Sequence, residues 1–372
     1  MHTVQAHKRS DSCDVIVVGA GLVGAAVATR LSHEGVDTAI LEARDVAGGA
    51  TGRSAGMVLT GLAGHYNWAV SAYGREQARE VWGLTVEGRE RLVEAAERLD
   101  VPVERTGSLT LAVEETEVDA LQESAVLLRE DGLDVQFDPA DPLGRGFRAA
   151  LRHPHDVTVD AGALTRTLLI SSGVIVHEGT EVYNLAPGPG GLQVWARGRT
   201  VVCNSVVLAI NGYAPLLDSY FADKVAPTRS LVLATDPVDT GTLDCPCCAD
   251  YGNEYCRQLP DHRLLLGGWQ RSHQQSGQAV EPGDVVLHGL IRFAARHFPE
   301  VNTGNPRRWS GVMGFTPDGL PLVGQLPGLP QVYFAVGLGG RGLAWAFVVA
   351  QRVVDLMLQG SAPGILAADR LT

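Results

Sequence analysis

The residues from Asp14 to Glu42, DVIVVGAGLVGAAVATRLSHEGVDTAILE, constrain this chain more than any others. Val15 to Val18 is a continuous apolar run, the pattern of a strand buried on both faces. Gly19, Gly21 and Gly24 follow, then an Ala/Val/Leu-rich stretch of helical character to Leu31, then a second short apolar run ending in Glu42. That order of strand, tight turn, helix, strand and closing acid predicts a βαβ unit that holds an adenine dinucleotide. Gly19 makes the turn, Gly21 lets a pyrophosphate reach the backbone, and Gly24 lets the helix pack close on the strand. The helix N-terminus offers free amides and the positive end of its dipole, while Glu42 suits a ribose hydroxyl. The alternative is an ordinary βαβ unit whose glycines serve packing alone.

A chain of 372 residues is too long for one small core and comfortable for two domains. With 45% hydrophobic and 19% charged residues it has the composition of a soluble globular protein. Its formal net charge of −12 argues against nucleic acid or an anionic membrane as partner, since both reward lysine and arginine. Lysine occurs only at Lys8 and Lys224, a scarcity that bears on the chemistry below. No segment approaches the roughly 20 apolar residues that a membrane span needs. The first ten residues lack a signal peptide's apolar core, so a cytoplasmic protein is the simplest expectation. Cys245, Cys247, Cys248 and Cys256 cluster near His262, but CxCC lacks paired CxxC spacing. Together with Cys13 and Cys203 they read as free thiols in and beside a strand, with no metal and no disulfide framework.

Along the chain, ARDVAGGATGRSAG reads as a close-wrapped loop, and Leu84–Leu99 as a helix with Glu87–Arg91 and Glu94–Arg98 pairs. Ser108–Val113 reads as a strand, and Glu114–Asp131 as a helix stopped by Gly132. Asp160 caps a helix to about Ser171, and Leu192–Ala196 and Thr200–Cys203 are strands around a turn. Residues 206–213, VVLAINGY, are a further buried strand ending in Asn-Gly. Arg229–Thr235 is a strand, and Tyr251–Leu259 pairs with Arg263–Gly268 across the turn PDH. Gly283–Phe298 and the segment ending near Leu358 are helical.

Several motifs agree in order: GAGLVG with Glu42, GATGRSAG at 49–56, VDAGALTRTLL at 159–169, and VVLAINGY at 206–213. EYCRQLPDHRLLLGG at 254–268, TPDGLPLVG at 316–324 and GLGGRGLAWAF at 337–347 continue the series. In these the chain resembles the D-amino-acid oxidase/glycine oxidase superfamily of FAD-dependent oxidoreductases, over roughly residues 12 to 360. The branch it is most similar to contains gamma-glutamylputrescine oxidase-like and sarcosine oxidase-like enzymes. The resemblance implies an α/β (α+β) fold, a Rossmann-type FAD-binding domain interleaved with a mostly antiparallel β-sheet substrate domain. It places residues 12–83, 144–212 and 301–372 in the FAD domain, and 84–143 and 213–300 in the substrate domain.

The same resemblance assigns cofactor contacts. Leu22 and Val23 join the first glycines, and Ala43 and Arg44 join Glu42 at the adenosine ribose. Gly49 to Gly56 should run along the pyrophosphate and one flavin edge; Thr51, Arg53 and Ser54 are its polar contacts, and Ala50 and Ala55 the small ones. Val182 should present its backbone to adenine, while Ala209, Asn211 and Gly212 pass near the dinucleotide. Gly337, Gly339, Gly340, Arg341, Gly342 and Leu343 should meet the flavin's pyrimidine end, where donors stabilise charge that builds during reduction.

Three departures from the family qualify what it implies. The stretch Trp309–Met313 has no cysteine where sarcosine oxidase-like members attach flavin, so FAD is expected to be noncovalent. Met313 stands where glycine and D-amino-acid oxidases place a carboxylate-clamping arginine, which weakens the case for an α-carboxylate substrate unless Arg257 or Arg341 replaces the clamp. Neither lysine matches the one that activates dioxygen, which falls at Leu264–Gly268, and Arg341 replaces a frequent histidine.

Family chemistry oxidises a C–N bond by hydride transfer to the flavin, after which the imine hydrolyses. It needs a neutral amine well placed more than a strong base. His65, Tyr66 and Trp68 are candidate pocket walls, with packing between domains as their alternative. Tyr255 and Arg257 share a strand face and are candidate substrate anchors, with an exposed edge pair as theirs. Trp269 and Trp345 are core candidates. With Arg341 and His65, Tyr255 and Arg257 complete the expected catalytic set for a small amine or amino-acid-like substrate, with dioxygen or another molecule as electron acceptor. A dehydrogenase of D-amino or 2-hydroxy acids is an alternative, and a non-catalytic flavin redox sensor is one of a different class.

Overall fold

The computed structural model describes residues 12–238, 241–268, 284–304 and 306–371; Lys8 and Trp269 lie outside them. β1 (Ser12–Val18), α1 (Leu22–His33) and β2 (Thr38–Leu41) form the expected unit, followed by α2 (Ala50–Arg53), β3 (Met57–Val58), α3 (Tyr66–Tyr73) and α4 (Arg75–Arg98). Next come β4 (Val103–Glu104), β5 (Ser108–Ala112), α5 (Glu115–Glu130), β6 (Gln136–Asp138), β7 (Ala149–His153), β8 (Val157–Val159), α6 (Ala161–Ser172) and β9 (Ile175–His177). β10 (Val182–Gly188), β11 (Gly191–Ala196), β12 (Arg199–Leu208), α7 (Ala214–Leu217), β13 (Ala226–Pro237), β14 (Cys247–Ala249), β15 (Glu254–Gln258) and β16 (Arg263–Gly268) follow. The chain closes with α8 (Asp284–His297), β17 (Arg307–Phe315), β18 (Leu322–Leu326), β19 (Leu329–Val336) and α9 (Gly342–Gln359).

Two eight-stranded sheets organise these elements. In the first, β9, β2, β1 and β12 run parallel, β19 joins β12, and β10–β11 and β18 extend it by antiparallel pairing. Val15 to Val18 are buried, as a central strand covered on both faces requires. Val15 and Val17 face a core with α1, α4, α6 and α9, while Ile16 and Val18 face a second with Phe221 and Phe334. The second sheet runs β17-β13-β16-β15-β14-β5-β7-β6 and is antiparallel apart from the β14–β5 pair. α8 covers it with Leu290, Phe293 and Ala294.

Several elements differ from the sequence expectations. α4 begins at Arg75, because Ala78, Val81 and Trp82 bury a face that the polar composition before Leu84 conceals. The Glu87–Arg91 pair closes at 2.8 Å. The strands expected at 200–203 and 206–213 are one ten-residue strand, β12, which ends at Leu208, and Asn211–Tyr213 form a helical turn beyond it. The loop at 49–56 contains the turn of helix α2. The Asp160 cap forms as expected, its carboxylate accepting the Ala163 N–H at 2.8 Å. β7 and β17, placed by the resemblance with the FAD domain, hydrogen-bond into the second sheet, β17 pairing β13 from Ala226–Phe315 to Ala234–Arg307. α4, placed largely with the substrate domain, packs on α9 through the first core.

The expectation that no segment is long and apolar enough to cross a membrane needs correcting. Gly339–Gln359 meets both criteria, since a run of valine and alanine outweighs Arg352 and Asp355. Here that helix packs against α1 and α4, with Trp345, Val349 and Val353 in the core, so Trp345 has the core role expected.

Candidate active site

A cavity of about 420 Å³ runs from the β1–α1 turn to the N-terminus of α9, between the two sheets. Its first-sheet wall is made mostly of backbone. Gly24 explains how the turn comes so close: a Cβ there would lie 1.9 Å from the Gly19 carbonyl oxygen, so only glycine lets α1 pack on β1. α1 has no side-chain cap and no acid in its first turn, which leaves the helix end facing the cavity. Thr51 on α2 ties in through its hydroxyl, which accepts the Leu22 N–H at 3.1 Å.

Glu42 closes β2 at the same end. Its carboxylate accepts the Ala20 N–H at 2.7 Å and the Arg44 N–H at 2.8 Å, which fixes its orientation while each oxygen keeps a free lone pair. Arg44 donates to the Tyr213 hydroxyl at 3.1 Å and stacks over its ring. Val182, Tyr183 and Leu216 line this mouth, the last two largely exposed.

Residues 14–356 match the family described as FAD dependent oxidoreductase. The chain belongs to that family. It is 25% identical over 376 residues to gamma-glutamylputrescine oxidoreductase of Escherichia coli, covering 94% of this chain and 84% of the relative. It is also 25% identical over 369 residues to glycine oxidase of Geobacillus kaustophilus, covering 92% of each. Crystal structures share the fold: glycine oxidase from G. kaustophilus at a TM-score of 0.78 and 22% identity, over 93% of this chain and 94% of that one. L-proline dehydrogenase from P. horikoshii gives 0.78 at 20% identity, over 97% and 96%.

The cavity's donor set fits the family's cofactor. Gly21 and Gly49 leave open space where a side chain would stand, with only Thr51 Oγ1 near Gly21, at 3.2 Å from a built Cβ. Gly19, Leu22, Val23, Ala43, Ala50, Ser54, Ala55, Gly56, Ala209 and Asn211 line the cavity beside them, as do Gly339, Gly340, Gly342 and Leu343. Arg53 also lines it, but its guanidinium is engaged by the Gly48 and Ser310 carbonyl oxygens at 3.1 and 2.9 Å.

Three expected cofactor contacts are not on the lining. Gly24 serves the helix–strand contact described above. Gly212 lies against β17, where a Cβ would meet the Met313 carbonyl oxygen at 2.7 Å. Gly337 precedes the lining stretch and packs on Thr316.

The second-sheet wall is made of side chains. Tyr255 on β15, Ser230 and Val232 on β13, Cys248 on β14 and Met313 on β17 face the cavity. Burial pushes the Tyr255 hydroxyl up to about 12, with the Ser230 hydroxyl acting in the other direction. Burial likewise pushes the Cys248 thiol up to about 11, against the pull of the Arg341 guanidinium beside it. Arg341, at the α9 N-cap, donates through Nη1 to the Thr60 carbonyl. Thr60 in turn gives its N–H and hydroxyl to Asp156, at 3.0 and 2.7 Å, and its hydroxyl accepts from Arg89 at 2.7 Å. A buried polar chain thus fixes Arg341 from behind.

Two expected anchors stand outside the lining. Arg257 donates to the Ala55 carbonyl at 2.9 Å and reaches Glu104 at 3.4 Å, so it braces the back of the 49–56 segment. His65 is buried, its Nε2 3.0 Å from Glu117 Oε1, and Glu117 also accepts the Tyr251 N–H at 2.7 Å. Tyr66 is buried against Trp82 and donates to Asp131, and Trp68 lies on the surface, so neither forms the wall expected. Sequence reasoning missed Ser230, Val232 and Cys248. Alternation on β13 links the first two, and the CxCC run marks the third. All six cysteines are free, four of them in or beside β14 and β15 as expected, and no group of metal ligands occurs among the described residues.

Proposed function

We propose that the chain is an FAD-dependent enzyme that oxidises the C–N bond of a primary or secondary amine or an amino-acid derivative. FAD, when bound, accepts the hydride from the carbon next to nitrogen. The observation that carries this reading is the second-sheet wall: Tyr255, Ser230, Val232, Cys248, Met313 and Arg341, with no carboxylate or imidazole among the described residues there. Such a wall positions a neutral amine and excludes water, and it offers no strong base. Tyr255 stays protonated at ordinary pH and donates a hydrogen bond to the substrate. Arg341, held by Thr60, puts a fixed positive charge at the N-terminus of α9, where negative charge develops. Arg257 positions the 49–56 segment from behind.

The reading includes noncovalent FAD: Met313 and its neighbours offer no thiol, and Cys248 is held protonated. Its acceptor is something other than dioxygen, since Leu264–Leu266 are a buried apolar stretch and Lys224 pairs with Asp223. An anaerobic screen of amines, amino acids and 2-hydroxy acids, scored by bleaching of the flavin, tests the activity. Bleaching by hydroxy acids alone, or by none of the panel, overturns it. Flavin that stays with the acid-precipitated protein overturns the noncovalent part.

A further inference from the structure

Further along α1 and α9 from the candidate active site lies a second cavity, of about 200 Å³, lined by residues of α1, α4, α6 and α9, with the exposed His33, Glu94 and Arg98 at its rim. Its shape follows from helix periodicity. Ala26, Thr29, Arg30 and His33 recur at three- and four-residue spacing on one face of α1, as do Arg91, Glu94, Ala95 and Arg98 on α4. Small residues at Ala26, Ala95 and Ala350 keep the helices from filling the space. The volume is well above the ~10–15 Å³ that one water requires and below the roughly 300 Å³ at which pockets for drug-sized ligands begin. A small ion or the head of a short ligand fits it.

Three buried polar atoms on this lining have no hydrogen-bond partner: Thr29 Oγ1, Arg30 Nε and Gln351 Oε1. Thr29 is only 6% exposed, so its hydroxyl has no bulk water to turn to. A buried polar atom left unpaired is costly unless something enters to satisfy it. Exchanging the Gln351 amide oxygen and nitrogen puts an unpartnered donor where the acceptor stands, so the deficit remains in either assignment.

The charges around the space favour an anion. Asp355 takes Arg30 Nη2 at 2.8 Å and Glu87 takes Arg91 at 2.8 Å, but Arg98 and His33 have no ion pair among the described residues. Glu94 is the one carboxylate on the lining. A hydroxyl, a guanidinium Nε–H, a second guanidinium and a rotatable amide make a donor set suited to several oxygens on one centre.

We propose that this cavity binds a small tetrahedral oxyanion, phosphate or the phosphate group of a monoester. Thr29 and Arg30 contact it at the floor, Gln351 at the side and Arg98 at the rim. The site is separate from the pyrophosphate end of the active-site cavity, although α1 lines both.

The test is calorimetry on the FAD-loaded enzyme at constant ionic strength, with inorganic phosphate and glycerol 2-phosphate as probes and chloride as control. Loaded enzyme keeps the pyrophosphate site filled. The expected result is one phosphate site per chain, weakened about tenfold or more by Thr29→Val and by Arg98→Met, as the loss of a hydrogen bond to a charged group predicts. Arg98 is exposed, so that variant keeps the fold even where Thr29→Val does not. Tighter binding of the monoester identifies an organic ligand, and equal binding identifies the free ion. No heat from either probe, or heat unchanged by Arg98→Met, overturns the proposal and leaves the cavity to water.

Discussion

The two walls of the active-site cavity are made differently. The first-sheet wall presents glycines, a bare helix end and one oriented carboxylate, Glu42. The second-sheet wall presents a phenol, a hydroxyl, a thiol, a thioether and one guanidinium. Backbone can be approached closely and does not vary with side-chain chemistry, so the first wall suits a constant ligand. Side chains can be exchanged strand by strand without altering the sheet, so the second suits a substrate.

The contrast predicts how variants divide. Gly24→Val strikes the first wall hardest: its Cβ meets the Gly19 carbonyl, and the FAD-loaded protein should lose about 3 kcal/mol or more in urea unfolding. A stable Gly24→Val enzyme with normal FAD affinity would break the claim that backbone approach makes this wall. On the second wall, Arg341→Met should slow anaerobic flavin reduction about 10²-fold or more while FAD remains bound. Loss of FAD at unchanged reduction rate would move Arg341 to the other side of the comparison. Glu42→Ala should weaken FAD binding by roughly 1–3 kcal/mol, read by flavin retention on dilution, with the reduction rate of loaded enzyme little changed.

Tyr255→Phe should be the mildest, slowing reduction by about tenfold or less, the worth of a neutral hydrogen bond. Because the phenol titrates only near 12, it is a donor throughout pH ~6 to 10, and the variant should keep the shape of the wild-type pH–rate profile. A limb that vanishes with the hydroxyl would show that Tyr255 ionises during turnover.

The first wall was also the more legible in sequence, for the same reason. Glycines at fixed spacing and an acid at a strand end report backbone geometry directly, and Gly19, Gly21, Gly49 and Glu42 all line the cavity. The second wall depends on which strands meet, which no local pattern records. Tyr255 and Arg257 do share a face of β15, but two residues carry Arg257 about 7 Å along the strand. That brings it to Ala55 and Glu104 and away from the cavity. His65 follows the flavin-edge segment closely in sequence, yet the N-cap of α3 turns it toward Glu117.

The interleaving of the sheets has a consequence for synthesis of the chain. β12 needs β19, and β13 needs β17, so both edges stay unpaired until residues beyond 307 leave the ribosome. Contacts of such long sequence separation are slow to form, and an open edge meanwhile offers its amides to any neighbouring strand. The nascent chain therefore carries an open edge from the completion of β12 until β19 emerges, and a second from β13 until β17, a window in which chaperones can protect it.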